Sequence, residues 1–242
     1  MGTERAQRFI AEVLASADPA RAERDRKYHK STRQHWGITM PQLDHVVKRH
    51  AKQLPPEQLL RLASELWHSG VYDLMTAAAR ILGRREIGAS PELWQTLDGW
   101  LHDVDGWALE DALAPAAWKC LLHDAALLDD LERWTTHPDK WRRRAALIYT
   151  LPLAKPGRDP ECVLGWAAAY ADDPEWFIQK AIGWWLRDLS RHDGPRVVRF
   201  LQSHWGRLQG VARREASRRL DAASTQRLLD FLARTDQTSG PH

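Results

Sequence analysis

The sequence has little cysteine and no long apolar run, and each scarcity excludes a class of protein. Only Cys120 and Cys162 occur among 242 residues, which excludes a disulfide framework, and both are interpreted as packing thiols in a reducing compartment. No apolar stretch approaches the ~18–20 residues that a membrane-spanning helix needs. The N-terminal stretch lacks the apolar core of a signal peptide. We therefore expect a cytoplasmic protein that makes no membrane contact.

Sequence signatures of several enzyme classes are also missing. The chain has no GxGxxG or GxxxxGK[ST] phosphate loop, no HExxH helix and no GxSxG turn. Its eleven histidines show no paired metal-ligand spacing. We expect neither a metal nor a cofactor, and the lone histidines are interpreted as surface or capping groups.

Clustered arginine and abundant tryptophan are the features that the sequence does have. The net charge is +3 with a pI near 9.0, and arginine is densest in WRRRAA and RREASRR. A basic patch favours a polyanion such as nucleic acid, although a solvated helix face explains the same blocks. Arginine far outnumbers lysine and asparagine is absent, which is typical of a GC-rich genome. Codon bias does not explain the thirteen tryptophans, because tryptophan has a single codon, although many could fill a core.

The residue pattern predicts an all-α protein. Helical segments are punctuated by Pro, Gly and Asp, and no run of alternating β-branched residues indicates a strand. Capping or helix-starting residues predict helices that begin near Thr3, Pro41, Pro55, Val71, Pro91, Asp105, Ala125, Lys140, Asp159, Pro174, Gly194 and Val211.

Five of these segments share a pattern of a polar or small residue, then alanine, then an apolar run. The alanines are separated by 34, 33, 36 and 35 residues, and they are Ala78, Ala112, Ala145, Ala181 and Ala216. Such a period predicts a two-helix solenoid in which the second helix of each pair lines a concave face. We expect a right-handed solenoid of about six helix pairs with a basic groove. It should form one domain over residues 1–235, followed by a flexible tail over residues 236–242.

Stacked repeats would place equivalent positions side by side. The residues before four of the alanines should form a column across neighbouring helices: Asp111, Arg144, Lys180 and Glu215. Trp107 lies one turn before Asp111 and Trp184 one turn after Lys180, so each shares a face with its partner. Trp176 and Trp185 need not join this groove, and packing between helices would account for them.

A carboxylate flanked by cations and aromatic faces suits a cationic transition state. Cleavage of a glycosidic bond passes through an oxocarbenium-like state, which an anion stabilises. Indole faces stack on bases and attract cations, while Arg144 and Lys180 suit phosphate binding. The structural alternative is an ion pair between Asp111 and Arg144, with Trp107 and Trp184 as core residues.

Four segments carry a resemblance to a known family: WRRRAALIYTL, WFIQKAIGWWLRDL, RREASRRL and YHKSTRQHWGI. From about Arg5 to Leu220 the chain resembles the AlkD-like DNA alkylation repair proteins, which are HEAT-like-repeat DNA glycosylases. The aromatic-x-x-x-Asp pair of that family falls on Trp107 and Asp111. Its arginine before Ala-Ala falls on Arg144, its tryptophan at the end of AIGW on Trp184, and its N-terminal tyrosine on Tyr28.

The resemblance implies a HEAT-like solenoid that excises positively charged N3- or N7-alkylated purines from duplex DNA. The enzyme would hydrolyse the N-glycosidic bond without metal or cofactor, in base excision repair, and we expect it to act as a monomer. The expected catalytic residues are Asp111, Trp107, Trp184 and Arg144. The expected DNA contacts are Tyr28, Arg144, Lys180 and Arg214.

The sequence departs from the family pattern at the start of the catalytic helix. Gly106 and Ala108 occupy places where the family often has a second tryptophan and a second aspartate, and GITMP alters the segment after Gly-Ile. These departures bear on lesion preference and rate. Two other functions stay open: a catalytically silent HEAT-like DNA-binding or scaffold protein, and a protein–protein scaffold whose groove lacks clustered arginine.

Overall fold

The computed structural model describes residues 2–238, and over that range it contains fourteen α-helices and no strand. The all-α prediction is confirmed. The helices are α1 Glu4–Leu14, α2 Pro19–His29, α3 Met40–Ala51, α4 Pro56–Trp67, α5 Tyr72–Leu82, α6 Pro91–Trp100, α7 Trp107–His123, α8 Leu127–Trp134, α9 Lys140–Ile148, α10 Glu161–Ala169, α11 Trp176–Ser190, α12 Gly194–His204, α13 Gly210–Ser217 and α14 Ala222–Thr238. No helix in the described range is long and apolar enough to cross a membrane.

All twelve predicted helix starts lie within two residues of an observed one. Side-chain caps explain this agreement: Thr3, Ser90 and Asp193 each accept a hydrogen bond from the backbone N–H three residues ahead. Thr39 and Gln42 form a reciprocal capping box at α3. Two helices, α2 and α14, were not predicted.

The chain divides into two compact units, with the boundary after Leu127. In the first unit α3, α5 and α7 pack side by side, while α4 packs on α5 and α6 on α7. In the second unit α9, α11 and α13 pack side by side, while α12 packs on α10, α11 and α14. The alanine-bearing helices of each unit are therefore neighbours, as the repeat predicts. The single domain over residues 1–235 stays a prediction. Helix α14 continues to Thr238, and residues 239–242 of the expected tail lie outside the described residues.

Small residues allow the alanine-bearing helices to pack closely. Ala78, Ala145, Ala181 and Ala216 are fully buried, whereas Ala112 is partly exposed. A Cβ atom at Gly183 of α11 would lie 2.6 Å from the Glu215 Cβ and 2.9 Å from the Ala212 carbonyl oxygen of α13. Only glycine fits at that contact without a shift of one helix.

The two cysteines differ from the expectation that both are packing thiols. Cys120 is buried in α7, but Cys162 is exposed in the first turn of α10. The interpretation of Cys162 was wrong because the short segment ECVLGWAAA is apolar overall, and composition alone does not indicate which face of such a helix meets solvent.

Candidate functional site

Trp107 and Asp111 lie on the first two turns of α7 in the first unit, and both are partly exposed. The Trp107 ring meets the Tyr28 ring edge to face, with centroids 5.6 Å apart and an interplanar angle of 85°. Tyr28 is 67% exposed, so this aromatic pair presents surface to solvent. Tyr28 thus lies beside the start of α7, and its role as a DNA contact stays a prediction.

Asp111 also lines an open cleft of about 640 Å³ in the first unit. The walls come from α3, the end of α5 with the segment that follows it, and α7. They carry four cationic side chains together with two further carboxylates. The cations are Lys48, Arg80, Arg84 and Arg85, and the carboxylates are Asp44 and Glu86. Sequence reasoning missed these cations because Lys48 and Arg80 stand singly on α3 and α5. Arg84 and Arg85 form only a short pair after α5.

Ion pairs account for half of the positive charge in this cleft. Arg80 donates through Nη2 to Asp44 Oδ2 at 2.6 Å and also through Nε to Oδ1, and Arg84 Nη2 lies 2.6 Å from Glu86 Oε1. Lys48 and Arg85 are exposed. The cleft therefore offers two exposed cations near one carboxylate on α7, an arrangement that suits a polyanion whose reacting centre becomes positively charged.

The segment between α2 and α3 is fixed to the helices around this site by two aspartates. Asp105, just before α7, accepts a hydrogen bond from Ser31 Oγ at 2.7 Å. Asp73 of α5 accepts from the backbone N–H groups of Trp36 at 2.7 Å and Ile38 at 3.0 Å. These bonds explain the YHKSTRQHWGI motif, since its polar and backbone groups hold the end of α2 against α5 and α7.

Gly106 permits the close approach of α2 to α7. A Cβ atom at position 106 would lie 2.9 Å from the carbonyl oxygen of His29, the last residue of α2. The departure of Gly106 from the family pattern therefore has a steric reason in this chain. It brings Tyr28 and His29 against Trp107.

The arginine block of α9 in the second unit is largely internal. Arg142 is 5% exposed and Arg144 is 2% exposed. Arg143 donates to the His137 carbonyl oxygen at 3.1 Å and lies 3.4 Å from Asp173 Oδ2. The block that the sequence indicated as a basic surface thus contributes little surface charge, and the role of Arg144 stays a prediction.

Lys180 of α11 and Glu215 of α13, two members of the predicted column, form an ion pair. Both Lys180 Nζ and Arg187 Nη1 donate to the Glu215 carboxylate. Burial alone would raise the pKa of Glu215, but the hydrogen bond from Lys180 and the charge of Arg187 outweigh it and lower that pKa. The two cations therefore share one ionised carboxylate.

The tryptophans of α11 divide between the core and the surface. Trp185 is fully buried and donates through Nε1 to the Thr150 carbonyl oxygen at 3.3 Å, which confirms packing between helices. Trp176 is 49% exposed instead. Trp184 is partly exposed and Arg214 of α13 is exposed. Of the predicted site residues, the first unit holds Tyr28, Trp107 and Asp111, and the second holds Arg144, Lys180, Trp184 and Arg214.

Comparison with known proteins assigns the family. The model of a family described as "DNA alkylation repair enzyme" matches residues 9–220. This range contains every predicted site residue. The chain belongs to the DNA alkylation repair enzyme family. This membership supports a role in DNA repair, with DNA as the substrate.

The fold is shared with solved structures, of which one is a predicted DNA alkylation repair enzyme from Enterococcus faecalis, with a TM-score of 0.73 and 21% identity over 86% of this chain and 98% of that chain. At this identity the likeness shows the fold, and it agrees with the expected helical-repeat solenoid. No curated protein matches the chain.

Proposed function

We propose that this protein is a DNA glycosylase that hydrolyses the N-glycosidic bond of N3- or N7-alkylated purines in duplex DNA. The observation that carries the proposal is the position of Asp111. Its carboxylate lines a cleft beside the exposed cations Lys48 and Arg85, one helical turn from an exposed aromatic pair. Cations can hold the phosphates while the carboxylate faces the sugar of the damaged nucleotide.

The chemistry demands little beyond electrostatic stabilisation. An alkylated purine already carries a positive charge, so it leaves as a neutral base without prior protonation. As the bond breaks, positive charge develops on the sugar, and the Asp111 carboxylate stabilises it and orients a water for attack. Water adds at the sugar carbon and releases one proton to the solvent, the base departs with the bonding electron pair as a neutral molecule, and the product is an abasic site.

The aromatic residues supply a surface for the charged base. Trp107 and Tyr28 meet edge to face at 5.6 Å, and both present faces that attract a cation. The indole of Trp184 in the second unit is partly exposed one turn from Lys180, and its catalytic role stays a prediction.

Phosphate binding is assigned first to the exposed cations. Lys48 and Arg85 line the cleft, and Arg214 is exposed on α13. Lys180 reaches a phosphate only by sharing or leaving the Glu215 carboxylate. Arg144, at 2% exposure, suits a positioning role better than a first encounter with DNA.

Release of a free base tests the proposal. Duplex DNA treated with a methylating agent is incubated with the full chain in excess chelator, and the supernatant is resolved by chromatography. We expect free 3-methyladenine or 7-methylguanine, together with abasic sites in the duplex. Intact methylated DNA at protein concentrations that saturate binding would contradict the proposal.

That contrary result would favour a catalytically silent DNA-binding protein. The observations behind this second candidate are the burial of Arg144 and the neutralisation of Lys180 by Glu215, which both suit a structural role. Equal affinity for methylated and unmodified duplex, without base release, would identify it.

A further inference from the structure

Two histidines beside Trp107 form a hydrogen-bonded pair whose proton positions follow from their partners. His35 Nδ1 lies 3.0 Å from the Arg33 carbonyl oxygen, and a carbonyl only accepts, so this nitrogen carries the hydrogen. The remaining nitrogen of neutral His35, Nε2, is then the acceptor for His29 Nδ1–H, 3.2 Å away. Neutral His29 therefore has its lone pair on Nε2.

Stacking holds both imidazoles in place. His35 stacks on the buried Tyr72 ring at 4.0 Å and 15°, and His29 stacks on the same ring at 4.6 Å and 14°. The His29 ring also lies 5.9 Å from the Trp107 ring and 5.4 Å from the Tyr28 ring. His29 is thus a third wall of the aromatic cluster that Tyr28 and Trp107 form.

The charged groups around His29 come from every element packed against it. Burial lowers the pKa of His29 most, and the neighbouring His35 lowers it further. Asp25 of α2, Asp73 of α5 and Asp105 before α7 act in the opposite direction but do not compensate. His29 is consequently neutral at physiological pH, and it becomes protonated only on acidification.

We propose that His29 is a specificity-determining residue, whose neutral imidazole allows the Tyr28–Trp107 cluster to hold a positively charged base. Protonation at Nε2 places a second positive charge in the cluster and repels such a base. This inference rests on the proposed glycosylase function, since it concerns the same site. His29 thereby contributes a titratable ring to the aromatic surface that Tyr28 and Trp107 form.

Protonation of His29 should weaken the binding of a cationic base about tenfold. Two like charges at the ring-to-ring distances of this cluster repel strongly at the dielectric of a protein interior, and the partial exposure of His29 reduces that repulsion to about a factor of ten. A neutral base feels much less of this effect, so acidification should remove the preference for cationic lesions.

Single-turnover excision from a duplex with one 7-methylguanine tests the inference. Rates are compared between about pH 5.5 and 8 for the natural protein, His29→Gln and the matched control His123→Gln, an exposed histidine at the end of α7. Titration of the substrate itself is common to all three proteins and cancels in the rate ratios. His29→Phe, which keeps the ring stack on Tyr72, serves if His29→Gln lowers the melting temperature.

At the acidic end of the pH range, we expect the natural protein to excise about tenfold more slowly than His29→Gln. The pH profile of His123→Gln should run parallel to that of the natural protein. Parallel profiles for the natural protein, His29→Gln and His29→Phe would overturn the inference while leaving the glycosylase proposal intact.

A second measurement does not depend on catalysis. The imidazole pKa of His29 is followed by NMR with unmodified duplex and with the same duplex carrying 7-methylguanine, so that the phosphates contribute equally. We expect the methylated duplex to give the lower pKa. The same pKa with both duplexes would overturn the inference. A lower value without base release at any pH would support the cation site and contradict the glycosylase function alone.

Discussion

Replacement of Gly106 by alanine should disturb the site through a single atom. Gly106 precedes α7 with φ of −168°, an extended conformation that alanine adopts freely. The obstacle is the His29 carbonyl oxygen, 2.9 Å from the added Cβ, whereas ordinary contacts begin at 3.4 Å. The end of α2 must therefore move away from α7 by roughly 0.5 Å, and it carries Tyr28 and His29 with it.

A shift of this size should reduce stability modestly and excision more clearly. Overpacking of this kind costs about 1–3 kcal/mol, which corresponds to a melting temperature lower by several degrees. A misplacement of about 1 Å can cost on the order of 10²-fold in rate, so we expect Gly106→Ala to be about tenfold slower in single-turnover excision.

Gly99→Ala is the matched control for this variant. Gly99 lies in α6, where an added Cβ meets no atom within 4 Å, so we expect a small gain in stability from helix propensity and an unchanged rate. If Gly106→Ala matches the natural protein in both melting temperature and rate, the contact between α2 and α7 does not position the site.

Three further predictions concern packing, DNA binding and pH. Gly183→Ala should lower the melting temperature, because its Cβ would lie 2.6 Å from an atom of α13, while Gly165→Ala, with no atom within 4 Å, should raise it slightly. Lys48→Ala and Arg85→Ala should each reduce the salt dependence of log affinity for duplex DNA by about 1, and an unchanged slope would remove the cleft from the interface. The pKa of Glu215 is lowered below its ordinary 4.5, so its ion pairs stabilise the fold above pH 4.5. The difference in melting temperature between the natural protein and Glu215→Gln should therefore shrink as the pH falls below that value. A difference that persists in acid would contradict this role of Glu215.

The helices and their order could be predicted because local signals agree with tertiary packing along most of the chain. Proline and capping residues mark the helix starts, and the spaced alanines mark where neighbouring helices approach. The same spacing places Lys180 and Glu215 at equivalent positions of stacked helices, and in the structure the two side chains form an ion pair.

Helix α2 was missed because its amphipathic signal is absent. It has no buried residue, and it is held by the Asp18 cap at its start and by contacts near its end, where His29 packs on Tyr72 and Trp107. Those partners are distant in sequence, so no local sequence pattern predicts the contacts.

The distribution of charge was the hardest feature to predict. The WRRR block indicates an exposed basic face, yet Arg142 and Arg144 are buried. The exposed cations of the cleft are Lys48 of α3 and Arg85 of the segment after α5. Tertiary packing determines which cationic side chains are exposed to solvent, and the number of cations in a stretch of sequence does not indicate their exposure.

Excision by Asp111→Asn tests the central claim most directly. Single-turnover release of 7-methylguanine is measured with melting temperature and duplex affinity. Asp44→Asn is the control, since Asp44 lines the same cleft from α3 and binds Arg80. We expect Asp111→Asn to keep its fold and affinity while excision slows by about 10²–10³-fold, and Asp44→Asn to retain its rate. A large loss of stability in Asp111→Asn, with undiminished excision by the folded fraction, would contradict the account and make Asp111 a helix-packing residue.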